Sequence, residues 1–101
     1  MDIQKIGIIG AGQMGNGIAH VMSLAGYDVL LNDVNEDALA QAMARIDTNM
    51  ERQVSREKIS TENKAAAIGR IITTSALPDL GQTDLVIEAA TEKEVVKQAI
   101  F

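Results

Sequence analysis

An α/β fold with a mostly parallel sheet is predicted by three features of this 101-residue sequence. An apolar run, Ile6 to Ile9, leads straight into a glycine-rich turn. After the turn, apolar residues recur at intervals of three and four. A second β-favouring run then ends on an acid, Asp33. These patterns describe strand, tight turn, helix and strand, and two strands joined through a helix run parallel.

Residues 3–9, IQKIGII, continue apolar up to the glycines, as an inner strand covered on both faces does. From Gln13 to Ala25, the residues Met14, Ile18, Val21, Met22 and Ala25 have the spacing of a helix packed on a sheet, and Gly26 closes it. Residues 27–31, YDVLL, form the second strand. Asn35 or Asp33 caps the next helix, with Glu36 and Asp37 favourably placed in its first turn. Ala38, Leu39, Ala42, Met43, Ile46 and Met50 give that helix one apolar face, extended by Val54. Neither Ser55 with Lys58 nor Ser60 with Asn63 forms a complete capping box. Even so, Ser55 or Ser60 can restart the chain, and two helices, about 36–53 and 60–68, are expected. They make a helical hairpin inserted after the second strand. RIITT, residues 70–74, is the third strand, and Leu77 and Leu80 anchor the connection around Pro78. DLVIEA, residues 84–89, is the fourth, and a helix opening at Thr91 or Glu92 is expected to run to Phe101.

Composition narrows the function. Nine Lys and Arg against fourteen Asp and Glu give a net charge of −5, the wrong balance for gripping a nucleic-acid backbone. The absence of cysteine removes disulfides, thiolate catalysis and cysteine-based metal sites. The stretch from Ile6 to Leu24 is the nearest approach to a membrane span, and it is broken by Gln13, Asn16, His20 and five glycines. The first residues lack the basic leader and cleavage site of a targeting peptide, so a cytoplasmic location with no membrane partner is expected.

Gly10-Ala11-Gly12-Gln13-Met14-Gly15 fits G-x-G-x-x-G, a weak signal alone and a strong one between a strand and a helix. Gly10 allows the tight turn, Gly12 lets the backbone approach a pyrophosphate, and Gly15 lets the helix pack closely on the strand. Gly17 is read as a close-packing position. The backbone N–H groups of about residues 12–15 then face an anion at the positive end of the helix. Asp33 accepts hydrogen bonds from both hydroxyls of an adenosine ribose and repels a 2′-phosphate, which favours NAD over NADP. Together these define a Rossmann-type mostly parallel sheet, with helices on both faces, holding the adenosine diphosphate half of NAD.

Other polar residues carry less. His20, the single histidine, has no companion for a metal site, and its place on the first helix suits packing better than base catalysis. Glu88, Glu92 and Lys97 lie at or beyond the end of the fourth strand, where open α/β sheets bind ligands. The alternating charges of residues 51–64, ERQVSREKISTENK, describe a solvated hairpin whose Arg52, Arg56, Lys58 and Lys64 are also able to meet an anionic substrate tail.

The segments IGIIGAGQMGNGIAHVMSLAGYDVLLNDVNEDAL and KISTENKAAAIGRIITTSALPDLGQTDLVIEAATEKEVVKQAIF resemble the N-terminal part of the short-chain L-3-hydroxyacyl-CoA dehydrogenases, closest to the bacterial 3-hydroxybutyryl-CoA dehydrogenases. The resemblance implies a dinucleotide turn at Gly10, Ala11, Gly12, Gln13, Met14 and Gly15, with Asp33 on the adenine ribose. It places Ala89, Glu92 and Lys97 near the ribose and nicotinamide, and Lys58 or Lys64 beside the acyl-CoA. It also implies hydride transfer between the C3 hydroxyl or ketone of the substrate and NAD, in fatty acid and butyrate metabolism.

In that family a histidine oriented by a glutamate, with a serine and an asparagine, carries the proton chemistry. All of these are expected beyond Phe101, as are the helical substrate domain and the homodimer surface. Residues 1–101 are therefore expected to be an incomplete NAD-binding domain, inactive alone. Two alternatives remain open: a related β-hydroxyacid or sugar-acid dehydrogenase, and a non-catalytic NAD-binding module.

Overall fold

The computed structural model describes residues 3–76, 81, 83–89 and 97–99. In chain order the elements are β1 (Lys5–Ile9), α1 (Gln13–Leu24), β2 (Asp28–Asn32), α2 (Glu36–Ser55), α3 (Thr61–Gly69), β3 (Ile71–Thr74), β4 (Leu85–Glu88) and β5 (Lys97–Ala99). The strands form one sheet in the order β3-β2-β1-β4-β5. The first four are parallel, with Ile6 opposite Val29 and Leu85, and Val29 opposite Ile71. Because β2 and β4 flank β1 on opposite sides, the strand order reverses at β1. Open α/β sheets bind ligands at the carboxyl ends of the strands at such a point.

Ile6, Ile8, Val29, Leu31 and Ile71 form one face of the sheet, buried beneath Ala19 of α1, Leu39, Ala42, Ile46 and Met50 of α2 and Ala67 of α3. The three helices contact one another and share that face. The Rossmann-type arrangement expected from sequence is present, with helix cover on one face among the described residues. On the other face Leu30, Val86 and Ile72 align across the strands, and Ile72 is 63% exposed.

Several local expectations change. The buried stripe of α1 is Gly15, Asn16, Ala19 and Ser23, whereas Met14 and Val21 face outward. Ile18 and Met22 pack against the core, half-buried, as expected, but the most buried positions hold small side chains because α1 lies close to the strands. A Cβ on Gly17 would meet nothing within 4 Å, so Gly17 is not a close-packing position among the described residues.

The Ser60 capping box is complete: Asn63 takes the place of the usual Glu or Gln. The Asn63 amide N–H donates to Ser60 Oγ at 3.0 Å, and the Ser60 amide N–H to Asn63 Oδ1 at 3.2 Å. Asn35, rather than Asp33, caps α2, its side chain accepting from the amides of Asp37 and Ala38.

The ends of α1 and α2 are built alike. At α1, Tyr27 N–H donates to Met22 O and Gly26 N–H to Ser23 O, with Gly26 at φ +106°. At α2, Lys58 N–H donates to Gln53 O and Glu57 N–H to Val54 O, with Glu57 at φ +60°. Glutamate thus occupies a left-handed position where glycine is the usual residue.

The helix expected from Thr91 or Glu92 is corrected over Lys97–Ala99, which pair antiparallel with β4, Lys97 opposite Glu88. The outer edge of β4 presents unpaired backbone groups, and an extended segment satisfies them where a helix does not. The rest of that expected helix, including Glu92 and Phe101, and the anchors Leu77 and Leu80 lie outside the described residues.

Asp84 clasps the entry of β1 to that of β4. Its Oδ2 accepts from the amides of Gln4 and Lys5, each at 3.0 Å, while its own N–H donates to Lys5 O. Those two amide bonds, with the nearby Lys5 charge, hold its carboxyl below the usual value of 3.8. A depressed folded-state pKa stabilises the fold above the unfolded value, and the increment is lost as pH falls through the folded one. Urea midpoints are therefore expected to place wild type above Asp84→Asn at pH 7. The gap should close below about pH 3.8. A gap that persisted unchanged at acid pH would remove the charge from the account.

Candidate functional site

The carboxyl ends of β1, β2 and β4 bring the sequence-predicted residues together. Gly10 leaves β1 at φ +104°, a conformation L side chains rarely adopt, and its N–H donates to Asn32 O at 2.7 Å. Gly12 is the N-cap residue of α1. It contributes no side-chain cap, and the first turn of α1 holds no acidic residue. The opening N–H groups of the helix are left to an outside acceptor, at the positive end of the helix dipole.

A Cβ on Gly12 would meet no atom within 4 Å, so the space above it is open. At Gly15 a Cβ would collide with the carbonyl oxygen of Gly10 and stand 2.9 Å from its carbon, with Ile8 Cγ2 at 3.6 Å. The three glycines thus have distinct tasks: a turn, an open approach for a ligand, and a close seat for the helix.

Asp33 does more than the sequence indicates. Its Oδ2 accepts from Ala11 N–H at 2.9 Å and its Oδ1 from Asn35 N–H at 2.9 Å. The carboxylate therefore ties the glycine turn to the start of α2. Each oxygen keeps a further lone pair for a ribose hydroxyl. Its own N–H donates to Thr74 O at 3.2 Å, and the Asn32 side chain reaches the same carbonyl at 3.1 Å. Asn32, 1% exposed, is a part of the site that the sequence did not single out. Its place directly before Asp33, closing the apolar run of Val29, Leu30 and Leu31, was the available signal.

Ala89 sits at the switch point, 7% exposed, with its N–H donating to Ile9 O at 2.7 Å. This cradle, with open space at Gly12, free helix amides and a carboxylate beside it, fits the diphosphate and ribose of a dinucleotide.

The model of the family described as 3-hydroxyacyl-CoA dehydrogenase, NAD binding domain, matches residues 5–101. The chain belongs to this family. It is 57% identical over 99 residues to a 3-hydroxybutyryl-CoA dehydrogenase of Bradyrhizobium diazoefficiens, covering 98% of this chain and 34% of that protein. It is also 38% identical over 101 residues to a 3-hydroxyadipyl-CoA dehydrogenase of Escherichia coli, covering 100% of this chain and 21% of that protein. The solved structure of (S)-3-hydroxybutyryl-CoA dehydrogenase from Ralstonia eutropha superposes with a TM-score of 0.87 at 40% identity, over 90% of this chain and 32% of that one. The chain spans about a third of the length of the 3-hydroxybutyryl-CoA dehydrogenases it matches.

Within this NAD-binding domain, other candidates stand apart from the turn. Lys64 on α3 ion-pairs with Glu51 and, at 3.1 Å, with Asp47, both on α2. Hydrogen bonds to Glu51 and Asp47 push its pKa upward. Its charge is therefore committed to holding the hairpin together. Lys58 lies exposed in the α2–α3 turn. Glu92 falls outside the described residues, and Lys97 is placed by its backbone alone, in β5.

His20 pairs through Nε2 with Gln53 Oε1 at 2.7 Å, tying α1 to α2 as a packing residue. Among the described residues no group of three or more His, Asp or Glu side chains is arranged to hold a metal, and no helix is long and apolar enough to cross a membrane.

Proposed function

We propose that this domain is the cofactor-binding part of an NAD-dependent L-3-hydroxyacyl-CoA dehydrogenase, with 3-hydroxybutyryl-CoA as its substrate. The observation that carries the reading is the joining of the glycine turn to Asp33 through Ala11 N–H, at the point where the strand order reverses. NAD, when bound, supplies the hydride acceptor or donor at its nicotinamide.

The residues we assign to the cofactor are Gly10, Ala11, Gly12, Gln13, Met14 and Gly15 around the diphosphate, Asp33 on the adenine ribose, and Ala89, Glu92 and Lys97 toward the nicotinamide. The amides opening α1 hold the diphosphate charge, and Asp33 orients the ribose by accepting from its hydroxyls. Lys58 is the better placed of the two hairpin lysines for an acyl-CoA phosphate, because the Lys64 charge is engaged. The relatives' names support a CoA thioester substrate, and we place the parent enzyme in cytoplasmic fatty acid and butyrate metabolism as a homodimer.

Calorimetric titration of the protein with NADH and with NADPH tests the reading. NADH is expected to bind at least about tenfold more tightly, the margin set by bringing a 2′-phosphate against the Asp33 carboxylate. A folded sample that bound neither, or preferred NADPH, would overturn it.

A further inference from the structure

At the carboxyl end of β2 a buried polar residue joins the ends of β1, β2 and β3. Asn32 is 1% exposed, is the last residue of β2, and stands in register between Ile9 of β1 and Thr74 of β3. Its backbone carbonyl accepts from Gly10 N–H at 2.7 Å, and its side-chain Nδ2 donates to Thr74 O at 3.1 Å. The same Thr74 carbonyl accepts from Asp33 N–H at 3.2 Å. The peptide group that leads into Asp33 is therefore held on the β1 side by the glycine turn and on the β3 side by Thr74.

Packing does not account for an asparagine here. The other buried positions of β2 are Val29 and Leu31, and asparagine is depleted both in strands and in protein interiors. Its amide instead fastens the place where the sheet opens most readily. β3 lies at the edge of the sheet and ends at Thr74, where the chain turns off: Ala76 N–H donates to Thr74 Oγ1 at 3.1 Å, and Ser75 and Ala76 are exposed. Exposed backbone bonds at the end of an edge strand open before those of the core, and this end carries the partner of Asp33 N–H. The carboxylate bonds to Ala11 and Asn35 set the rotation of the Asp33 side chain, whereas the bonds to Thr74 set how far the residue stands from the sheet.

We propose that Asn32 is a positioning residue for Asp33 and thereby sets the preference for NAD over NADP. By pinning Thr74 O it keeps the Asp33 peptide seated, so that the carboxylate stands where the hydroxyls of the adenosine ribose arrive. The inference rests on the cofactor reading above and adds to it a residue that acts through Asp33 rather than on the ligand. Displacement of Asp33 affects the two nucleotides unequally. Hydrogen bonds to ribose hydroxyls weaken steeply with misalignment, while repulsion of a 2′-phosphate falls only as the inverse of distance.

The test is calorimetric titration with NADH and NADPH of wild type, Asn32→Leu, Asp33→Asn and the double variant, with circular dichroism and thermal denaturation of each. Leucine suits a buried strand position. If Asn32→Leu does not fold, Asn32→Ser takes its place in the same set, its hydroxyl ending one bond short of Nδ2.

Asn32→Leu is expected to lower NADH affinity roughly fivefold, to leave NADPH within about twofold, and so to narrow the ratio between them. In the Asp33→Asn background the same substitution is expected to leave the ratio as it stands, the coupling that marks a residue acting through its neighbour. A role in the fold alone would lower the melting temperature and spare the ratio. An unchanged ratio in folded Asn32→Leu, with wild type preferring NADH, overturns the proposal and leaves the cofactor reading standing. Equal narrowing in both backgrounds overturns it too, because Asn32 then acts without Asp33. Wild type that binds neither nucleotide removes the cofactor reading, and this proposal with it.

Discussion

Gly15→Ala is expected to destabilise the domain by more than about 3 kcal/mol, the range of severe overpacking, and to abolish NADH binding with it. One methyl group has this effect because the atoms in its way are the carbonyl oxygen and carbon of Gly10, which are backbone and have no rotamer to give. Relief requires α1 to lift from β1. That lift moves the opening amides of the helix away from the turn and breaks the approach between Gly10 and Asn32. Gly17→Ala is the matching control, two residues along the same helix. A Cβ there meets no neighbour, and alanine is favoured over glycine in a helix interior by about 1 kcal/mol. Urea denaturation of the two variants should move in opposite directions, with Gly17→Ala equal to or above wild type. Equal midpoints for Gly15→Ala and wild type would show that the helix does not sit as closely as the structure has it.

Asp33→Asn is expected to lower NADH affinity by about tenfold or more, since hydrogen bonds to a charged acceptor contribute about 1.5–3 kcal/mol. Its effect on selectivity is more telling. The carboxylate repels a 2′-phosphate, so its neutralisation should cost NADPH less than NADH and narrow the ratio between them. A second consequence is structural. Both oxygens of Asp33 accept backbone amides, from Ala11 and Asn35, and asparagine replaces one acceptor by an NH₂ group that faces a donor. The loss of that bond is expected to destabilise the fold by about 1 kcal/mol. Thermal denaturation without ligand separates the two effects. A variant with unchanged NADH to NADPH ratio would assign Asp33 to the turn alone.

The glycine turn, the acid after β2 and the alternation of strands and helices were legible because each rests on a local rule with a fixed spacing. The apolar face of α2 was equally readable: Leu39, Ala42, Ile46 and Met50 are all buried. The face of α1 was legible in part: Ile18 and Met22 pack against the core, while Met14 and Val21 do not. Hydrophobic periodicity selects large residues, and α1 approaches the sheet so closely that Gly15, Asn16, Ala19 and Ser23 turn inward instead. The Asn63 half of the capping box was hidden because asparagine is a rare substitute there. The bonds of Asn32 to Thr74 and of Asp33 to Ala11 join distant parts of the chain, and no local pattern encodes them. Strand β5 depends on the unpaired edge of β4, a property of the assembled sheet rather than of residues 97–99.

The placing of β4 beside β1 carries a consequence for the order in which the domain is made. Asp84, at the entry of β4, bonds Lys5, at the entry of β1, across a separation of 79 residues, while β2 and β3 are joined to their neighbours through nearby helices. On the ribosome β1 and β2 emerge long before β4. At translation rates of about 5–20 residues per second, the far edge of β1 stays without its strand for roughly 4–16 seconds. Through that interval the row of backbone groups along that edge of β1 is open to any other extended segment. The central strand of the sheet, first in the chain, is thus enclosed only after β2 and β3 have emerged, and the step that closes it is a long-range pairing of the slow kind.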